Sequence, residues 1–174
     1  MSELGDEYSE SLEAEFRKLE EALLSNPVKL LAPSEPIRLP PEATVAEAIT
    51  KMVDNRRAAV VVVDAEGHLT GIFTERDALT RVMRQKRNPE QTKLAEVMTA
   101  APETLASDDR ICYAVNRMHV GGHRSIPLVD ADHRPLGIVT VNDVVKWLAE
   151  SFPEAVLNLR PGDKLKRPHQ VDSG

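Results

Sequence analysis

Polar and apolar positions alternate along this chain in two rhythms, and each rhythm occurs in two copies. Near the start, Tyr8, Leu12, Phe16, Leu19 and Leu23 recur at steps of three and four, the spacing of one helix face. Asn26-Pro27 ends that helix, and its acidic first turns suit the positive end of the helix dipole. Such a helix can pack on its own domain or serve as an arm that contacts a second copy. From Pro33 onward the pattern becomes that of short strands and helices. An extended piece, "PIRL" or "PETL", precedes a helix with apolar residues at Val45, Ala48, Ile49 and Met52, or at Ile111, Ala114, Val115 and Met118. A strand rich in apolar and β-branched residues follows, "AAVVVVD" or "RSIPLVD". A turn at Glu66-Gly67-His68, or at Asp132-His133-Arg134, leads to a second strand ending in "GIFT" or "GIVT". The closing helices are "ERDALTRVMRQ" and "VNDVVKWLAESF".

The two copies align without a gap over their second halves. Asp64 falls on Asp130, and Gly71, Ile72, Thr74 and Asp77 fall on Gly137, Ile138, Thr140 and Asp143, an offset of 143 − 77 = 66. Upstream the same offset carries Leu39, Ala48 and Met52 onto Leu105, Ala114 and Met118. This is an internal duplication. One β-α-β-β-α unit is too small to bury an adequate core alone, so two units facing each other are expected to share one. The expected fold is α/β (α+β), with two β-α-β-β-α repeats packed sheet to sheet about a pseudo-two-fold axis and a helix added at the N-terminus. The expected boundaries are 1–32 for the helix and its linker, 33–92 and 93–152 for the repeats, and 153–174 for a partly disordered extension. The linker "KLAEVMTAAPETL" has no Gly or Ser tract and predicts a firm joint.

Charge and composition narrow the function. A net charge of −6, with Trp147, two Tyr and three Phe as the aromatics, supplies neither the basic face nor the stacking platform of a nucleic-acid binder. Cys112 is the single cysteine, which excludes an internal disulfide and a cysteine-based zinc site. No apolar run approaches the ~18 residues of a membrane span, and the acidic N-terminus does not resemble a signal sequence. A cytoplasmic protein is expected. The five histidines form no metal-binding helix pair, because Gly121-Gly122 separate His119 from His123, and no phosphate loop of the GxxxxGK[ST] type is present. Catalysis is not expected, and no cofactor or metal is required.

In the repeated G-I-x-T-x-x-D a strand ends, a Thr follows, and an acid stands three residues later at a helix start. That spacing suits a capping box, in which Thr and Asp satisfy free backbone N–H groups. It also suits a nucleoside phosphate, because a helix start favours an anion and a carboxylate accepts from a ribose diol. The whole repeat with its motif closely resembles a tandem CBS-domain pair, named after cystathionine β-synthase, from about Pro33 to Ser151. Members of that family commonly bind AMP, ADP, ATP or S-adenosylmethionine in the cleft between repeats. The resemblance implies that Asp143 and Thr140 hold ribose and phosphate at one site, and Asp77 and Thr74 at the other. By the same analogy, backbone around Pro36-Ile37, Ala58-Ala59 and Ile138, with Ile72 at the matching position, frames adenine. His123 and Arg124, before the middle strand of the second unit, are assigned to phosphate at the Asp143 site, which is expected to bind it better than the Asp77 site. The expected protein is a homodimeric sensor of an adenosine-containing small molecule, with a separate, unknown downstream protein. It associates through Leu79, Val82 and Met83 and through Val144, Val145 and Leu148. The alternatives are a ligand-free association module and a sensor of S-adenosylmethionine.

Overall fold

The computed structural model describes the backbone of residues 3–152 and the side chains of residues 13–152. The expected tail at 153–174, and the side chains of Tyr8 and Leu12, lie outside the described residues. Helix α1 spans Glu3–Ser25 and is followed by a 3₁₀ turn at Val28–Leu31. The first repeat comprises β1 (Arg38–Leu39), α2 (Val45–Asp54), β2 (Ala59–Val63), β3 (Leu69–Thr74) and α3 (Glu75–Asp77), which continues as a π-helical turn at Ala78–Met83. A short helix α4 (Leu94–Val97) and strand β4 (Thr99–Ala100) form the joint. The second repeat comprises β5 (Leu105–Ala106), α5 (Ile111–Gly121), β6 (Ser125–Val129), β7 (Pro135–Thr140) and α6 (Val141–Ser151).

The duplication survives in detail. In each repeat the first strand pairs parallel with the second, and the second pairs antiparallel with the third. Each hairpin has its register shift at the same place, between Val62 and Val63 and between Leu128 and Val129. Each hairpin turn places one residue in the left-handed region, Gly67 at φ 88° and His133 at φ 61°. Asp64 Oδ1 accepts from His68 N at 2.8 Å, and Asp130 Oδ1 accepts from Arg134 N at 2.8 Å. Asx chemistry of this kind closes a tight turn without help from the rest of the fold.

The repeats are interlocked rather than merely adjacent. Leu94 N donates to Ala43 O and Val45 N to Thr92 O, so the joint closes the first repeat. In the second repeat these roles pass to the chain before the first: Val28 N donates to Asp109 O and Ile111 N to Asn26 O. Strand β4 likewise pairs with β3, while Ser34 bridges to Ile138 of β7. Each repeat therefore has its own apolar core. Val45, Val60, Phe73, Val82 and Leu94 fill one, and Val28, Ile111, Ile126, Val139 and Trp147 fill the other. The α1 residues Leu19, Ala22 and Leu23 pack on the second core, which realises the packed reading of that helix, while Phe16 remains 43% exposed. Between the sheets lies a third cluster, Ala59, Val61, Leu69, Ile72, Val129 and Ile138. Leu69 N to His133 O at 2.9 Å and Arg38 Nη2 to Pro135 O at 2.9 Å add polar ties across the axis.

Two expectations need correction. The closing helix of the first repeat is not regular, because after one α turn it widens into the π turn Ala78–Met83. The expected association face also changes. Val82 is fully buried, Val144 is 7% exposed and Leu148 packs on the second core, since each faces its own sheet. The exposed apolar residues on these helices are Leu79, Met83, Val141 and Val145.

Candidate functional site

Both T-x-x-D motifs form complete capping boxes. Asp77 Oδ2 accepts from Thr74 N at 3.0 Å and from Thr74 Oγ1 at 2.7 Å, and Thr74 Oγ1 accepts from Asp77 N at 3.3 Å. Asp143 Oδ2 accepts from Thr140 N at 2.7 Å and Thr140 Oγ1 at 2.8 Å, and Thr140 Oγ1 accepts from Asp143 N at 3.3 Å. The local sequence accounts for this geometry. An extended Thr at the strand end turns its hydroxyl onto the N3 amide, and the acid three residues on reaches back. In each case Oδ1 is left over from the box. In the first repeat Arg81 Nε approaches Asp77 Oδ1 at 3.3 Å. The position equivalent to Arg81 in the second repeat is Trp147, so among the described residues Asp143 Oδ1 has no cationic partner.

A cleft of about 870 Å³ opens at the first motif. Ala58, Ile72, Thr74 and Asp77 line one side, and the other side comes from the second repeat, with His123, Arg124 and Pro127. The Arg76 and Arg81 side chains and the joint residues Thr99, Pro102 and Glu103 complete the wall. Of the residues named from sequence, the structure thus gathers Ala58, Ile72, Thr74, Asp77, His123 and Arg124. Thr140, Asp143, Ile37, Ala59 and Ile138 do not line this cleft. Ala59 and Ile138 are buried between the sheets, and the Ile37 side chain packs on the first core.

His123 and Arg124 had been grouped with Asp143, and the structure groups them with Asp77. Pseudo-two-fold packing is the reason, because it sets the start of one repeat's middle strand opposite the motif of the other. Within its own repeat the Arg124 carbonyl accepts from Val141 N at 3.1 Å, at the start of the motif helix. The residues equivalent to Gly122, His123 and Arg124 are Arg56, Arg57 and Ala58. These line a second hollow of about 740 Å³ with Asn142, Leu79 and Met83, in which apolar helix residues replace the convergent polar groups of the larger cleft.

Charge in the larger cleft is unevenly paired. Asp77 is engaged by Arg81, while Glu103 stands 4.0 Å from Arg117 and 3.9 Å from His123. Arg76 and Arg124 have no ion-pair partner among the described residues. Both arginines line the cleft and offer donors to an anion entering it. Arg76 was missed, although it lies inside the motif itself, in "TERD", where its position before Asp77 could have pointed to it. Arg81, Thr99, Pro102 and Glu103 carry no repeated signature and were missed.

The ligand atoms of Asp64, Glu66 and His68 lie within 4.8 Å of one another in the β2–β3 turn. His68 Nδ1 is 3.2 Å from Asp64 Oδ2, and the backbone N–H of His68 holds the Asp64 carboxyl below the usual carboxylate range. These contacts are those of the turn. Cys112 is half-buried on α5, and Gly122, at φ 65°, ends that helix before His123.

Residues 29–84 and 94–150 each match the family model of the CBS domain, and the chain belongs to the CBS-domain family. It is 31% identical over 125 residues to the CBS domain-containing protein CBSCBSPB1 of Arabidopsis thaliana, an alignment covering 72% of this chain and 22% of that protein. It is 32% identical over 106 residues to the uncharacterized protein MK0525 of Methanopyrus kandleri, covering 61% and 54%. The chain therefore spans from about a fifth to about half of the length of these curated relatives. Among solved structures, it is similar to the CBS domain pair of protein MJ0100 in complex with 5′-methylthioadenosine and S-adenosyl-L-methionine. That match has a TM-score of 0.64 and 25% identity, and covers 71% of this chain and 99% of that one. The fold is shared with the CBS domain protein PAE2072 from Pyrobaculum aerophilum, complexed with AMP, at a TM-score of 0.63 and 22% identity over 68% and 89% of the two chains.

Proposed function

We propose that this protein is a non-catalytic regulatory module whose larger cleft, at Thr74 and Asp77, binds an adenine nucleotide. The carrying observation is convergence: a strand-end carboxylate, two arginines without ion-pair partners among the described residues and a histidine from the opposite repeat line one cleft of about 870 Å³. In this reading the Asp77 carboxylate accepts from the ribose hydroxyls. Arg124 and His123 meet phosphate, with Arg76 at the rim, and Ala58 and Ile72 form the apolar wall beside adenine. The AMP complex of PAE2072 and the 5′-methylthioadenosine and S-adenosylmethionine complex of MJ0100 support the adenosine class. Unpaired arginines favour a phosphate over a sulfonium cation, so AMP, ADP or ATP is preferred to S-adenosylmethionine. Phosphate preference is thereby assigned to the Asp77 site, the reverse of the order expected from sequence.

Binding would act by different affinity for two arrangements of the repeats, because a ligand moves an equilibrium only by that difference. The exposed Leu79, Met83, Val141 and Val145 suit a homodimer, from which a separate protein would read the signal. No helix among the described residues is long and apolar enough to cross a membrane.

One observation favours a rival. Both capping boxes are complete without ligand, so the motifs have a structural role in any case. A thermal-shift screen with AMP, ADP, ATP, S-adenosylmethionine and GTP separates the two readings. A ligand at 100 times its Kd adds about 2.7 kcal/mol of stability. A shift with an adenine nucleotide, absent with GTP and lost in Arg124→Ala, is the expected result. No shift with any of them would leave an association module.

A further inference from the structure

The Arg81 side chain joins three parts of the molecule. Its Nε reaches the motif carboxylate of Asp77 at 3.3 Å. Its Nη1 donates to the carbonyls of Val97 at 2.9 Å and Met98 at 2.6 Å, at the exact point where α4 gives way to β4. Arg81 also lines the larger cleft, and its Nη2 has no hydrogen-bond partner among the described residues. One half-exposed cation therefore ties the binding carboxylate to the stretch of chain that carries the first repeat into the second.

That stretch is held on a narrow margin. Strand β4 contributes only Thr99 and Ala100 to its pairing with β3, and the Met98 side chain lies over Gly71, where a Cβ would run into its sulfur. Ala101 then adopts φ 44°, and Pro102 and Glu103 face the cleft. The pseudo-equivalent position lacks such a device. Trp147 stands in place of Arg81 and Leu31 in place of Val97, both within an apolar core that no anion can address. The asymmetry lies in the one feature that couples a joint to a cleft.

We propose that Arg81 transmits ligand charge to the joint between the repeats. An anionic group in the cleft draws the guanidinium away from the Val97 and Met98 carbonyls, and residues 97–103 loosen. A phosphate offers guanidinium a charge-assisted, bidentate partner, whereas two carbonyls offer neutral acceptors only. A ribose hydroxyl donating to Asp77 Oδ1 competes for the same oxygen that Arg81 Nε now approaches. Both effects release the tie in the same direction. An uncharged adenosine exerts the second alone, so the response reads the phosphate. The proposal rests on nucleotide binding in this cleft and adds the route by which binding is felt.

The test is amide hydrogen exchange on the full chain, with binding measured in parallel by calorimetry. The reporters are the amides of Met98 and Ala101, which donate to Leu94 O at 2.8 Å and Thr70 O at 3.0 Å. Saturating AMP or ATP is expected to speed their exchange roughly tenfold, the factor that about 1.4 kcal/mol of lost support gives. Saturating adenosine should change it by less than about threefold, since Asp77 alone is contested. Arg81→Met is expected to exchange fast without ligand and to respond no further, and Arg81→Lys, which keeps the charge without the fork, to lie between. Nucleotide binding with unchanged or slowed exchange at these amides would overturn the role of Arg81 and leave nucleotide binding standing. Failure of every adenosine compound to bind would overturn both.

Discussion

Removing either motif carboxylate should cost stability, and the two costs should differ. In Asp77→Ala, Thr74 loses the acceptor for its N–H at 3.0 Å and its hydroxyl at 2.7 Å, and Arg81 loses a partner at 3.3 Å. Asp77 is 7% exposed, so water cannot readily replace those contacts. A lost cap costs about 1 kcal/mol and a buried donor left unsatisfied about 1–3 kcal/mol. Together they predict roughly 2–4 kcal/mol for Asp77→Ala. In Asp143→Ala the same two donors are lost at 2.7 and 2.8 Å, but the site is half-exposed and has no arginine tie. Water then recovers part of the loss, and the prediction is about 1 kcal/mol. Urea unfolding followed by circular dichroism reads both variants, since Trp147 would report on the second repeat alone. The midpoint should fall in both with the slope unchanged, and further in Asp77→Ala. Equal costs, or a larger cost for Asp143→Ala, would refute the claim that burial and Arg81 make the first box the stronger.

Other substitutions probe the duplicated frame and its charges. Gly67→Ala places a Cβ at φ 88° and 3.1 Å from Arg134 Nη1, and should destabilise by about 1–2 kcal/mol. At the equivalent position His133→Gly relieves a left-handed residue and should stabilise by about 0.5 kcal/mol once added chain entropy is subtracted, so chemical denaturation should show opposite signs. Phe73→Ala empties a fully buried site of the first core and should cost about 3–5 kcal/mol, read from the same denaturation curves. The backbone N–H of His68 lowers the Asp64 carboxyl, so its contribution is complete above about pH 4 and is lost as pH falls through the depressed value. Acid titration of stability should therefore fall less steeply in Asp64→Asn than in the parent protein.

Much of the fold was legible because duplication doubles every local signal. The offset that joins Asp77 to Asp143 also carries the hairpin bulges, the Asx turns and the capping boxes, each set by residues within a few positions of one another. What could not be read depends on residues far apart. Nothing local shows that Val28 closes the second repeat while Leu94 closes the first, because those bonds join segments about fifty to eighty residues apart. The position of His123 and Arg124 beside the first motif is hidden for the same reason. Sequence proximity suggested Asp143, and two-fold packing set them across from Asp77. Val82 and Leu79 share one apolar stretch, and only the path of the π turn decides that one is buried and the other exposed. The i,i+4 spacing of Asp77 and Arg81 was readable, but the two backbone carbonyls that Arg81 also holds leave no side-chain pattern.

On the proposed reading, one adenine nucleotide binds where the first motif meets the second repeat's arginine. Isothermal titration of the full chain with AMP, ADP and ATP, against GTP, tests it directly when repeated on Arg124→Ala and Asp143→Ala. One nucleotide site per chain is expected, weakened about tenfold or more by Arg124→Ala through loss of a charge-assisted bond. Asp143→Ala should leave that affinity nearly unchanged. No binding, or binding abolished by Asp143→Ala and indifferent to Arg124→Ala, would contradict it.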